Sequence, residues 1–219
     1  MIRALALDFD GVVVESVELK NRAFGELFRE THPDKVEAVI ALHKANMGVS
    51  RYEKFPRIYA EVLGEPFPEG ESERLDRALT ALVYEGVVAC EFVPGARELI
   101  ERRSREVPVF VASATPEEEV RSLVEARGLA PFVTAAYGSP ARKADSLRRI
   151  AAEAGCATAD VLFVGDTTSD QRAAREAGVV FVGRVPAGEA SPFEPEDGVR
   201  TVADLAELDA LWDELVRIS

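Results

Sequence analysis

Two carboxylates, Asp8 and Asp10, stand two residues apart at the end of the apolar run "RALAL", and Gly11 follows them directly. In a strand-like backbone that spacing turns both side chains to one face. Like charges held so close repel, and one pKa rises unless a cation compensates. Gly11 lets the chain turn sharply around an anion or a cation at this point, because glycine adopts backbone angles closed to other residues. A second acidic pair, Asp166 and Asp170 in "GDTTSD", spans one turn at the start of an expected helix. Four acids without a histidine partner suit a hard cation held by oxygen, such as magnesium. The two histidines, His32 and His43, fall in a helical stretch and read as surface or interface residues.

The elements that would position these groups follow from periodicity. "IRALALD", "VPVFVAS", "FVTAAYGS", "DVLFVGD" and "VVFVGR" read as strands, several of them apolar enough to be covered on both faces. Helices alternate with them: "PGARELIERRSRE", "TPEEEVRSLVEARG", "PARKADSLRRIAAEAG" and "TSDQRAAREAG", with "DLAELDALWDELVR" closing the chain. This alternation predicts an α/β fold with a mostly parallel sheet and helices on both sides. From Val17 to about Gly86, after the first strand, the texture is helical only, over four segments. Pro56 interrupts one of them and either bends that helix or moves its start. The expected organisation is therefore a core of residues 1–16 and 89–219 with an inserted all-helical unit at 17–88. The segment Pro186–Gly198 reads as an exposed loop.

In open parallel sheets, ligands collect beyond the carboxyl ends of the strands. Asp8, Asp10, Ser113 and Asp166 are all expected there. Isolated acids after strands are usually turn or cap residues, so the recurrence carries more weight than any one of them.

Composition limits the partners. The 219 residues carry a net charge of -13 and are 47% hydrophobic, which allows a real core. An acidic field of that size opposes binding to nucleic acid or to an anionic membrane. A small anionic substrate is compatible with it, given a locally positive pocket. No run reaches the roughly 18 apolar residues of a membrane span, and no targeting segment is visible, so a cytoplasmic protein is expected. Cys90 and Cys156 offer neither a disulfide framework nor metal-ligand spacing and read as small core residues.

Taken together, "DFDGVVVES", "VFVASATPEEEV", "YGSPARKADSL" and "LFVGDTTSDQRAAREAG" resemble, in order, the four motifs of the haloacid dehalogenase-like hydrolase superfamily. Within it the chain looks like the phosphoglycolate phosphatase and β-phosphoglucomutase group, whose helical cap lies between the first two motifs. The resemblance implies a Rossmann-like core with a mobile cap, hinged near Ser16–Glu18 and Ala89–Phe92. It implies magnesium-dependent hydrolysis of a small phosphorylated metabolite, phosphoglycolate being one candidate, with sugar phosphates and nucleotides open. Asp8 would be the nucleophile that forms an aspartyl-phosphate, and Asp10 the acid and base. Gly11, Ser113, Ala114 and Lys143 would surround the phosphoryl group, and Asp8, the Asp10 main-chain carbonyl, Asp166 and Asp170 the metal. An acid at Asp10 suits an alkoxide leaving group and not a halide, which departs without a proton.

Two positions depart from the family pattern: Ala114 replaces a common asparagine, and Glu15 a common aspartate. In "ESVELKNRAF", Lys20 stands where the sugar-phosphate mutases commonly carry histidine, which favours plain hydrolysis. "GVSR" at Gly48–Arg51 resembles a cap segment in which Arg51 would reach a carboxylate or second phosphate on the substrate. A phosphosugar mutase and a non-catalytic scaffold remain as alternatives, with either a monomer or a homodimer. A nicotinamide-binding domain is disfavoured, since "DFDG" is not a glycine-rich turn.

Overall fold

The computed structural model describes residues 1–218. Six strands form one sheet: β1 (Ala4–Leu7), β2 (Val109–Pro116), β3 (Ala135–Ser139), β4 (Val161–Gly165), β5 (Val180–Arg184) and β6 (Arg200–Val202). Their order is β3-β2-β1-β4-β5-β6, and every pairing is parallel. The order reverses direction at β1, between β2 and β4, and the carboxyl ends there form the crevice where open α/β sheets bind ligands. The expected α/β core is present.

Alternation along β1 divides the interior in two. Leu5 and Leu7 join one core with Val111, Leu162, Val164 and Leu99; Ala4 and Ala6 join the other with Phe110, Phe163, Leu147 and Ile150. All four residues of β1 are buried, as a central strand covered on both faces requires.

Four helices lie between β1 and residue 90: α1 (Val17–Arg29), α2 (Val36–Ala45), α3 (Arg51–Arg57) and α4 (Glu71–Ala89). They constitute the inserted helical cap. Ser50 caps α3 by accepting a hydrogen bond from the Tyr52 N–H. The helix runs through Pro56 and widens at once into a π-helical stretch, Ile58–Leu63. Proline has no N–H to donate and its ring crowds the preceding turn, so the wider turn follows.

The core helices are α5 (Ala96–Arg103), α6 (Glu117–Ala126), α7 (Lys143–Glu153), α8 (Thr168–Ala177), α9 (Leu205–Ala210) and α10 (Trp212–Ile218). Two of these differ from expectation: the single closing helix is split at Leu211 into α9 and α10. β6 was not anticipated, because three residues are too few to display a period. Cys90 and Cys156 form no disulfide and are half-buried. They follow the ends of α4 and α7 and pack against the margins of the two cores, not inside them. No helix among the described residues is long and apolar enough to cross a membrane.

Truncating β1 tests how firmly the sheet holds the site. Leu7→Ala should lower the unfolding free energy by about 2–5 kcal/mol. Leu82→Ala on α4, where the side chain is 46% exposed, should stay within about 0.5 kcal/mol. Chemical denaturation of the two variants measures the contrast.

Candidate active site

Asp8 is the first residue beyond β1, and its N–H donates to the Val164 carbonyl of β4 at 2.9 Å. That bond fixes the backbone from which the side chain projects. The buried carboxylate accepts from the Phe9 N–H on Oδ1 at 2.7 Å and from Lys143 Nζ on Oδ2 at 2.8 Å. Lys143, the first residue of α7, also donates to Asp170 Oδ1. Asp170 is wholly buried, and its Oδ2 accepts from the Thr167 N–H at 3.1 Å and from Thr167 Oγ1 at 2.6 Å. This reciprocal cap starts α8 and aims Asp170 at the lysine.

Asp8, Asp166 and Asp170 each bring a carboxylate oxygen to within 4.8 Å of the others. Among the described residues, Lys143 is the one ammonium bonded to this group, and Asp166 has neither an ion pair nor a hydrogen bond to another side chain. Burial pushes the Asp8 carboxyl up to about 7 against the pull of Lys143, with Asp170 adding to the rise. Burial likewise raises Asp166 well above the usual carboxylate range, reinforced by Asp170 and Asp8. For Lys143, burial acts downward, but the Asp170 and Asp8 charges outweigh it and raise its pKa. Burial is the largest cause for the two carboxyls and the neighbouring carboxylates add to it; those same carboxylates raise Lys143 against its burial, so negative charge outnumbers positive here. An all-oxygen donor set with that surplus fits a hard divalent cation.

Gly11 makes the cluster possible. Its φ is +76°, and a Cβ built there would lie 2.2 Å from Asp166 Oδ2. Its carbonyl accepts from Arg184 at 3.1 Å, and the same guanidinium grips both oxygens of Glu15 at 2.7 and 3.1 Å. Glu15, the departure from the first-motif pattern, thus ties the turn to the end of β5.

The Asp10 carboxylate lies outside the three-carboxylate group. It accepts from Ser16 Oγ at 2.5 Å, Lys20 Nζ at 2.5 Å and Thr115 Oγ1 at 2.9 Å. Burial would raise its pKa, but the Lys20 charge and these hydrogen bonds prevail and hold it below the usual carboxylate value. The side chain therefore takes no part in the cation cluster, where the sequence reading had involved only its main-chain carbonyl. Ser113 lies within β2, not at its end; it is buried and accepts from the Thr115 N–H at 3.1 Å. Ser113 and Ala114 line the same cavity as Asp8, Asp10 and Asp166.

The sequence reading missed two contributors. Lys20 was noted only as a replacement for histidine, yet it follows Ser16 by one helical turn, the spacing that aims both at Asp10. Thr115 stands two residues after Ser113, so the strand period turns both to one face. Each signal was present.

The cap closes the cavity with Lys20, Phe24, His43, Arg51 and Lys54, leaving a volume of about 70 Å³. Arg51 lines it, but its guanidinium is committed: Nη1 donates to Asp76 at 3.1 Å and Thr80 at 2.9 Å, and Nη2 to Glu119 at 3.0 Å. His43 overturns its reading as a surface or interface residue. It is buried, stacked on Phe24 with centroids 3.9 Å apart, because the inner faces of α1, α2 and α3 converge there. Burial and the charges of Lys54 and Lys20 push it down to about 2, so it is neutral. His32, by contrast, sits near the surface beside Thr31 and Glu65. Gly48 brings the cap against the core, where a Cβ would lie 2.4 Å from Thr167 Oγ1.

A parallel sheet with buried acids gathered at its switch point and a helical lid over them describes a hydrolase of the capped α/β type. The sequence model of the haloacid dehalogenase-like hydrolases matches residues 2–178, and the chain belongs to that family. A phosphoglycolate phosphatase from Synechococcus elongatus is 24% identical over 193 residues, covering 83% of this chain and 82% of that protein. Among solved structures, a hydrolase from Pseudomonas syringae superposes with a TM-score of 0.79 at 20% identity, covering 97% of this chain and 98% of the other. CbbY from Rhodobacter sphaeroides, in complex with phosphate, gives a TM-score of 0.72 at 23% identity, covering 95% and 96%. At these identities the structural likenesses speak for the fold.

Gly11→Ala should disturb the carboxylate cluster through the clash with Asp166. Divalent-cation affinity, measured by calorimetry, is expected to fall at least tenfold, within the roughly 10–100-fold range for residues that support metal ligands. Unchanged affinity would show that Asp166 is free to move away.

Proposed function

We propose that this hydrolase is a magnesium-dependent phosphatase that cleaves a small organic phosphate monoester through an aspartyl-phosphate on Asp8. The observation that carries the reading is the separation of the first two acids. Asp8 belongs to the cluster with Lys143, Asp166 and Asp170, whereas Asp10 is held apart by Ser16, Lys20 and Thr115. Two neighbouring carboxylates with different partners suit two different jobs.

In this reading Asp8 attacks phosphorus and displaces the alcohol. Lys143 keeps Asp8 oriented and offers positive charge to the phosphoryl oxygens, and the Ser113 hydroxyl and nearby backbone donors receive the same oxygens. Asp8, Asp166 and Asp170 would hold the magnesium ion, with the Asp10 carbonyl; bound there it shields the attacking carboxylate from the anionic ester. Asp10, kept ionised by Lys20, is in the form that deprotonates the water for the second step. To protonate the leaving alcohol first, it must carry a proton, which requires the Lys20 contact to loosen. Because Lys20 belongs to α1, movement of a cap spanning 17–88 about Ser16–Glu18 and Ala89–Phe92 would govern that contact.

The relatives support the same chemistry at the level of their names, one a phosphoglycolate phosphatase and another solved with phosphate. The part of the cavity between Asp8 and the cap residues has a volume of about 70 Å³, several times what one water needs, and a small leaving group suits it.

Phosphate release from a panel of phosphoglycolate, hexose phosphates and nucleotides, with and without magnesium, tests the proposal. One small ester should be preferred, turnover should require the metal, and Asp8→Asn should reduce it at least 10³-fold while the fold is retained, a loss comparable with removal of a covalent nucleophile. Near-normal turnover by the folded variant would overturn it.

A further inference from the structure

The cap side of the cavity carries three cations, and they are not equivalent. Lys20 is paired with Asp10, and Arg51 with Asp76 and Glu119. Lys54 is 3% exposed, yet no carboxylate among the described residues lies within ion-pairing distance of it. Among the described residues its Nζ meets only His43 Nδ1, at 3.1 Å, and the face of Phe24, 5.2 Å from the ring centroid. A buried ammonium without a counterion is costly unless something charged completes it.

A second incomplete group adjoins it. Lys54 donates to Nδ1 of the neutral His43 ring, so the ring proton belongs on Nε2. That Nε2 is buried and has no hydrogen-bond partner among the described residues. An unmatched cation and an unmatched donor thus adjoin on cap helices α3 and α2, and both residues line the cavity that reaches Asp8 and Asp10. The core side of the same cavity holds the unmatched negative charge of the Asp166 cluster.

We propose that Lys54, with His43 as its support, seats a second anionic group on the leaving-group side of the substrate, so that the substrate is a short phosphate monoester bearing a carboxylate or a further phosphate. This rests on the phosphatase reading and narrows its substrate class. The role expected for Arg51 from the "GVSR" segment passes to Lys54, because the Arg51 guanidinium is already neutralised inside the protein. Burial and the charges of Lys20 and Arg51 push the Lys54 ammonium down to about 7; an anion seated against it would reverse that effect.

Binding of non-hydrolysable probes tests the seat without relying on turnover. With magnesium present, calorimetry would compare 3-phosphonopropionate, propane-1,3-bisphosphonate and propylphosphonate, which share the phosphonate and differ at the far end. The wild-type protein should bind at least one of the two doubly anionic probes tenfold or more tightly than propylphosphonate, and the preferred one identifies the anion as carboxylate or phosphate. Lys54→Met should shrink that ratio at least tenfold, while Lys54→Arg, which keeps the charge, should hold it within about threefold. Circular dichroism confirms that each variant is folded; Lys54→Arg serves as the decisive comparison if Lys54→Met is not. An equal affinity of wild type for all three probes, or an undiminished ratio in folded Lys54→Met, would overturn the proposal. Phosphate release from p-nitrophenyl phosphate, run in parallel, separates the two claims. Asp8-dependent turnover without anion preference defeats only the Lys54 seat, and anion preference without any turnover defeats the phosphatase reading.

Discussion

The ion pair on which this site depends is the Lys143 ammonium shared between Asp8 and Asp170. It brings a helix start, α7, against the ends of β1 and the start of α8, and it does so without solvent. One cation serves a group of three carboxylates, so the arrangement is balanced only when further positive charge is supplied. Removing one partner of a buried pair leaves an uncompensated charge, which is far more damaging than loss of a surface pair. The fold itself thus builds a carboxylate group that could hold a divalent cation. The sheet order makes it possible, since β1 and β4 lie side by side at the point where the connection reverses.

The same accounting of charge distinguishes the two ends of the cavity. On the core side the surplus is negative, around Asp166; on the cap side it is positive, at Lys54. Lys20 spans the division, reaching from α1 to Asp10 and Thr115 at 2.5 and 2.8 Å. The cap is thus more than a cover, because one of its side chains sets the protonation of the residue proposed to handle the proton.

Much of this was legible in the sequence. The apolar runs ending in Asp8 and Asp166 gave the strand ends, and the alternation of strands with helices gave a parallel sheet with its helical insert. The acids were readable as residues at strand ends, but their partners were not: Asp166 precedes α8, and Asp10 turns to Ser16, Lys20 and Thr115 and not into the cluster with Asp8. Pairings across the cap–core boundary were not readable either. Nothing local tells Arg51 to find Glu119 or Asp76, or leaves Lys54 without a carboxylate; those outcomes depend on how α3, α4 and α6 pack. His43 was misread for the same reason, since its burial arises from three cap helices converging and not from its own neighbours in the chain. β6 and the break at Leu211 escaped because a three-residue edge strand and a one-residue interruption carry almost no periodic signal.

The central claim is that Asp8, and not Asp10, forms the bond to phosphorus. Rapid acid quenching of a single turnover, followed by mass spectrometry of the digested protein, addresses it directly. The account predicts a transient phosphoryl group on the peptide containing Asp8, localised to that residue, appearing before phosphate is released. Phosphate released at full rate with no phosphorylated Asp8 at any time point, or a phosphoryl group found on Asp10, would contradict it.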